Sequence, residues 1–199
     1  MEPTARKIDI KDLRVELLES RHKAVIKGFR TDVKKPEEVE LRDFLIEDAI
    51  DNQEMEISST YLFFHNPSNK LAGYVTVLSD AVRIHGTHLG KAFSDQGVPY
   101  KTLPAMKIAR MCVDESFKRK GIGTNMLLFA MGRLVAVNEH CGCRFLIVDA
   151  KRDAIHFYKR FSFQVLKEKE KGTLPLYYDM FNILKIVKET KTKLEAVRK

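Results

Sequence analysis

From Gly121 to about His140 the chain carries few polar residues, chiefly Asn125, Arg133 and Asn138, and a segment of strand composition stands on either side: AMKIARMCV at 105–113 and RFLIVD at 144–149. A helix apolar around nearly its whole circumference has to be covered, and β-rich flanks supply a sheet to cover it. Strand, crossover helix and strand in succession make a parallel pair, connected right-handedly in nearly all folds. The expected class is therefore α/β. Gly142 stands where a C-terminal glycine closes a helix. A second short helix, RDAIHFYKR at 152–160, follows the second strand and should begin at the same edge of the sheet.

The remaining chain adds antiparallel signals. STYLFFH (59–65) and LAGYVTVLSDAVRI (71–84) are rich in aromatic and β-branched residues and are separated by the turn residues NPSNK, which predicts a hairpin. FSFQVLK (161–167) and TLPLYYDMFNIL (173–184) read as two more strands paired around EKEKG. Pro36 to Met55 shows helical spacing with Pro36 suited to a first turn, whereas RVELLE (14–19) fits either a strand or a helix start. His85 to Leu103 is a long polar connection, expected to be a functional or mobile loop that could hold substrate contacts.

At 199 residues, 44% apolar and 31% charged, the chain is most simply one globular domain, 1–199, outside the disordered and fibrous classes. Its first residues lack the apolar core of a signal peptide, and no stretch approaches the roughly 18 apolar residues of a membrane span. A cytoplasmic protein without a membrane partner is expected. Three cysteines, Cys112, Cys141 and Cys143, read as free thiols of a reducing compartment. The net charge of +8 points to an anionic partner: a nucleotide, a phosphorylated cofactor or RNA. Half of it lies in a basic tail at 185–199, which is by default a solvated helix.

Lys118, Arg119 and Lys120 stand at the mouth of the long helix, before Gly121-Ile122-Gly123. A helix N-terminus presents backbone N–H groups without intrahelical partners, and the macrodipole adds positive charge there. The two glycines permit positive φ and close approach, so the turn reads as an anion site, with a solvated basic corner as its alternative. Thr124 and Asn125 after Gly123 do not make a P-loop, and Met126 occupies the third-glycine place of a dinucleotide fingerprint.

The stretch resembles the acetyl-CoA signature of the GNAT N-acetyltransferases, Gln/Arg-x-x-Gly-x-Gly/Ala, with Lys118 where Gln or Arg is usual. A second family mark, Ala-x-x-Phe-Tyr-x-x-x-Gly-Phe, is matched by Ala154, Phe157, Tyr158 and Phe163, with Phe161 between them and Ser162 in the glycine place. Lys151 stands where a frequent Asn is absent. The resemblance spans about residues 59–181. It implies a mixed, mostly antiparallel GNAT sheet with a splayed parallel strand pair and flanking helices. It further implies acetyl-CoA as co-substrate, held by Lys118, Arg119, Lys120, Gly121, Ile122, Gly123 and Thr124. Backbone groups of Met111 and Val113 would pair with the pantetheine arm. Cys112 between them is assigned to packing, since no His adjacent in sequence would activate it.

Acetyl transfer needs a neutral amine and a proton for the departing thiolate. A Tyr keeps its proton at neutral pH, and Tyr158 is suited to that task; the alternative is simple packing of a short helix. Many relatives carry Glu on the fourth strand, and AMKIARMCV has none. Asp149, ending the next strand, either binds substrate and relays a proton or caps the following helix. His85 and His88 lack a third ligand, and Cys141 and Cys143 lack a zinc ribbon's doubled pairing, so no metal is expected. A Lys amine of pKa about 10.4 needs a base more than an α-amine at about 7.7–8.0 does. Weak base provision and a basic surface thus favour an α-amino acceptor on an anionic carrier. TYLFFHNPSNKLAGYVTV and MKIARMCVDESFKRKGIG also look like a GNAT subgroup that includes toxins acetylating the amino acid on charged tRNA. The readings kept beside it are a small-molecule or protein amine acetyltransferase and a catalytically silent module binding CoA or RNA. Assembly is open between a monomer and a homodimer.

Overall fold

The computed structural model describes residues 7–197; the first six residues and the last two of the basic tail lie outside the described residues. Seven strands form one sheet in the order β1-β2-β3-β4-β5-β7-β6. They are β1 (Leu13–Leu17), β2 (Ser59–His65), β3 (Lys70–Arg83), β4 (Thr102–Val113), β5 (Phe145–Ala150), β6 (Gln164–Val165) and β7 (Leu174–Asp179). The sheet is mostly antiparallel, and its one parallel pair is β4 with β5, neighbours joined through a helix as the sequence predicts. The chain divides into two compact units, one of Met1–Leu78 with Ile108–Ala130 and one of Ser79–Lys107 with Met131–Lys199.

In the first unit, β1 and β2 pair from Leu13↔His65 to Leu17↔Tyr61, so RVELLE begins as a strand. β2 and β3 make the expected hairpin, with a bulge at Phe63/Phe64. Its turn ends on Asn69 at φ +50, a left-handed position that Asn tolerates. Three short helices, α1 (Lys23–Ile26), α2 (Pro36–Asp43) and α3 (Ala49–Glu54), with the turn between the last two, bring Ile26, Leu45 and Ala49 into a core with Leu18, Leu62, Tyr74 and Cys112. A π-helical turn at Phe44–Asp48 joins α2 to α3, so the predicted helix from Pro36 is one helical run with a wider turn in its middle. The only polar handle of Tyr74 is satisfied: its hydroxyl donates to the Leu41 carbonyl at 2.5 Å. Across β2 and β3 the buried hydroxyls of Thr60 and Thr76 satisfy each other at 2.8 Å. At Gly73 strand β3 is packed tightly against β4 and the long helix that follows it. A Cβ there would lie 2.9 Å from the Cys112 carbonyl oxygen and 3.0 Å from the Met126 sulfur.

In the second unit, β5 pairs antiparallel with β7 from Phe145↔Asp179 to Ala150↔Leu174, and β6 pairs with β7 through Gln164↔Tyr177. Val82, Ile84, Phe93, Phe145 and Tyr177 form its core. The stretch from His85 to Leu103, expected as a loop, contains α4 (His88–Ser94), whose buried Leu89 and Phe93 tie it to that core. Thr87 caps it, accepting from the Gly90 N–H at 3.2 Å, and Ile84 N–H bonds the Lys101 carbonyl at 3.0 Å. Only two residues of FSFQVLK are strand. Ser162 turns the chain at φ +63, and Phe163 instead packs between Tyr158 and Tyr178. The strand TLPLYYDMFNIL likewise ends at Asp179, whose carboxylate accepts the Phe181 N–H at 3.0 Å and opens α7 (Phe181–Val197). The basic tail thus continues a helix.

The long helix α5 (Ile122–Asn138) crosses from one unit's residues into the other's. Gly142 does not close it, for it is not among the residues at positive φ. The Cys141 N–H bonds the Val137 carbonyl at 3.0 Å, and the Asn138 side chain donates to the Cys143 carbonyl at 3.0 Å. Among the described residues no helix is long and apolar enough to cross a membrane.

Candidate functional site

β4 ends at Val113, and Asp114 starts the turn that leads to α5. Asp114 is 4% exposed and anionic, which burial would make costly without partners. It has three: Oδ2 accepts the Arg30 N–H at 2.8 Å, and Oδ1 accepts the Ser116 N–H at 3.0 Å and the Ser116 hydroxyl at 2.5 Å. Phe117 is buried behind it. The chain then passes through two left-handed residues, Arg119 at φ +60 and Gly121 at φ +87, before Ile122 opens the helix. A Cβ on Gly121 would meet nothing within 4 Å, so φ rather than space demands glycine there. Gly123 lies in the first helical turn. The second left-handed position is therefore Arg119, not Gly123, and a non-glycine residue held there costs roughly 1 kcal/mol or more. Asn125 N–H makes a first helical bond to Gly121 at 3.2 Å. The N–H groups of Ile122, Gly123 and Thr124 are left, as first-turn donors, to an anion or water.

Lys118, expected among the residues that hold acetyl-CoA, has its ammonium between two carboxylates. Its Nζ lies 2.6 Å from Glu38 of α2 and 2.5 Å from Glu115. Partial burial alone would lower its pKa, yet the two carboxylates raise it above the ordinary lysine value. Lys118 is thus a cationic strut between the turn and α2. Lys120 donates to the Ser116 carbonyl at 2.8 Å and sits 5.5 Å from the Phe117 ring centroid. Its own carbonyl accepts the Ile8 N–H at 3.0 Å. Nothing in the sequence marks Glu38 as part of this turn, because its partner Lys118 is 80 residues away.

Along β4, Met111 and Val113 are half-buried on either side of buried Cys112, the alternation of a strand with one face on the core. Burial, with a smaller contribution from Glu38, pushes the Cys112 thiol up to about 12, so it stays protonated and unreactive.

The second unit carries the remaining candidates. Tyr158 lies in α6 (Ile155–Lys159), only 5% exposed, with the Phe157 ring at 5.1 Å and the Phe163 ring at 5.4 Å. Burial raises its pKa well above that of a free tyrosine. Asp149 of β5 holds a cation rather than capping the next turn, whose N-cap Lys151 lacks a side-chain cap bond. Lys107 of β4 reaches Asp149 Oδ2 at 2.8 Å and Asp80 Oδ2 of β3 at 3.5 Å. Partial burial would lower the Lys107 pKa, but the hydrogen bond and charge of Asp149, with Asp80, raise it above 10.5. The amine is a fixed cation at neutral pH. His88, from the predicted loop, meets the Tyr177 hydroxyl at 2.9 Å, and that hydroxyl donates to Gln164 at 2.8 Å, so the His88 Nε2 is the donor.

Residues 60–165 match the Acetyltransferase (GNAT) domain family. A tRNA-acetylating toxin of Mycobacterium tuberculosis is 26% identical over 129 residues, 64% of this chain and 74% of that protein. Among solved structures, AtaT complexed with acetyl-methionyl-tRNAfMet superposes with a TM-score of 0.73 at 21% identity, covering 88% of this chain and 99% of that one. A mutant AtaT toxin bound to the C-terminus of the antitoxin AtaR and acetyl-CoA gives 0.66 at 19% identity, covering 88% and 98%. At these identities the structures establish a shared fold.

Proposed function

Because the chain belongs to the GNAT family and is an acetyl-CoA-dependent N-acetyltransferase, we propose that its acceptor is the α-amine of an aminoacyl-tRNA. The observation that carries this reading is the Lys107–Asp149 pair. The carboxylate best placed in sequence to serve as a base is engaged by a permanent cation at 2.8 Å. An amine of pKa about 7.7–8.0 is partly neutral unaided, whereas a Lys amine near 10.4 is not. The likeness to a tRNA-acetylating toxin supports the same class of acceptor.

The residues divide the work as follows. The first-turn N–H groups of Ile122, Gly123 and Thr124, with the left-handed Gly121, suit a pyrophosphate at the N-terminus of α5. Arg119 and Lys120 add cationic charge to that turn, and Lys118 fixes it to α2. Backbone groups of Met111 and Val113 pair with the pantetheine arm. Acetyl-CoA supplies the thioester acyl group. Tyr158, kept protonated by burial, holds the proton that the departing thiolate takes up, and solvent removes the surplus proton of the acetylated amine.

Incubation with radiolabelled acetyl-CoA and bulk aminoacyl-tRNA, followed by mass spectrometry of the released amino acids, tests the reading. Label on the α-nitrogen is the expected result. Label on polyamines or protein lysines at higher kcat/KM, with none on aminoacyl-tRNA, would replace it.

A further inference from the structure

Beside the turn that leads to α5, and wholly inside the first unit, lies a cavity of about 250 Å³. Its wall includes Arg30, Asn69, Lys70, Ser116 and Phe117. The volume falls below the roughly 300–1,000 Å³ of sites that enclose a whole small molecule, so it suits one unit of an extended ligand.

The cationic side chains at this cavity enter no ion pair among the described residues. Several cations of the unit are taken up by carboxylates: Arg14 by Glu16, Arg21 by Glu16 and Glu19, Arg42 by Asp43, Lys118 by Glu38 and Glu115. The side chains of Arg30 and Lys70 are exposed and enter no ion pair among the described residues. Lys120, next to two wall residues, adds a third charge; among the described residues its ammonium bonds the Ser116 carbonyl and lies over Phe117. The one carboxylate in the wall, Asp114, has both oxygens occupied by the Arg30 N–H and by Ser116. Asn69 accepts from Arg14 through its amide oxygen at 3.3 Å, which leaves its N–H₂ as a donor. The wall is therefore net cationic, rich in donors, and floored by an aromatic ring.

We propose that this cavity is a docking point for the phosphodiester backbone of the RNA acceptor, with Arg30 and Lys70 as the phosphate contacts. The inference rests on the aminoacyl-tRNA reading for the identity of the RNA. Backbone phosphates are met by Arg, Lys and amide donors without base readout, so this surface positions any tRNA and selects none. It accounts for cations that contribute nothing to the fold's own ion pairs.

The test uses the full chain and the double variant Arg30→Glu, Lys70→Glu. Binding of deacylated bulk tRNA is followed by fluorescence anisotropy across salt concentrations, acetyl-CoA binding by calorimetry, and folding by thermal unfolding. The variant should bind tRNA at least about tenfold more weakly at low salt. Its dependence of log Kd on log salt should be shallower by about 1.5, at roughly 0.7–0.9 per phosphate contact. Acetyl-CoA affinity and Tm should hold. Unchanged tRNA affinity in a folded variant overturns the proposal, as does a parallel loss of acetyl-CoA affinity, which would give the cavity to the cofactor's own phosphates. Should charge reversal unfold the chain, Arg30→Gln, Lys70→Gln carries the same expectations at smaller size. If the wild type acetylates aminoacyl-tRNA with a KM that the variant shares, the docking point falls and the acceptor reading stands. If the wild type binds tRNA through these residues but acetylates none, the acceptor reading falls and the docking point stands.

Discussion

Lys118 and Glu38 meet at 2.6 Å across 80 residues of chain, and this pair fixes the turn before α5 to helix α2. Both side chains are partly buried, and Lys118 also engages Glu115. Glu38→Gln should keep the fold, because Glu115 still neutralises the amine, while the turn loses its long-range tether. Acetyl-CoA Kd is expected to rise about 3- to 10-fold, the size of one charge-assisted hydrogen bond that also orders a loop. Calorimetry on the folded variant checks this; wild-type affinity would show that the tether does not organise the anion site.

Gly73 offers a prediction about packing alone. Its replacement by Ala puts a Cβ 2.9 Å from the Cys112 carbonyl and 3.0 Å from the Met126 sulfur, and backbone cannot yield as a side-chain tip can. Overpacking of this kind costs roughly 1–3 kcal/mol. Chemical denaturation should show the midpoint falling with the m-value unchanged. A neutral substitution would mean that β4 and α5 shift apart more easily than close packing suggests.

Much of this architecture was readable in sequence, and the failures have physical causes. β2 from Ser59 to His65, the hairpin, and the helix at Ile122–Asn138 are long or strongly patterned, so local composition decides them. α4 was missed because seven residues give barely two turns of periodicity, and HLGKAFS mixes a Gly with polar residues; its burial of Leu89 and Phe93 is a tertiary fact. FSFQVLK has strand composition, but its aromatics pack on Tyr158 and Tyr178 instead of lining a ladder. At the site, glycines marked the turn correctly. They did not reveal that Arg119 shares the left-handed geometry, or that the cation next to it points inward to Glu38. Such pairings depend on which distant strand or helix lies opposite, and no local pattern encodes that.

Tyr158 is buried between two Phe rings, so its replacement by Phe should leave packing intact and remove only the hydroxyl. We expect an unchanged acetyl-CoA Kd and a kcat lower by about 10²-fold, the lower end for general acid catalysis, since a thiolate leaves fairly well unaided. Pre-steady-state measurement, under conditions where acyl transfer limits the rate, provides the check. An unaltered rate there would reassign Tyr158 to packing.

The last prediction joins Lys107 to the pH profile. The folded pKa of Lys107 lies above 10.5, because Asp149 and Asp80 outweigh the partial burial that would lower it. A raised pKa means that the pair's stabilisation is fully present below the unfolded lysine value of about 10.4 and is lost as pH rises through the folded value. Lys107→Met should therefore lower Tm at pH 7, and the gap to wild type should narrow only above about pH 10.5. Within pH 6–9 the wild-type pair does not titrate through Lys107. The rise of kcat/KM over that range should then reflect the acceptor amine: it should level off above roughly pH 8 for an α-amine and still climb at pH 9 for a lysine side chain. A profile of kcat/KM against pH with aminoacyl-tRNA and with a lysine-containing peptide distinguishes these outcomes, and continued climbing with the tRNA substrate would remove the α-amine argument.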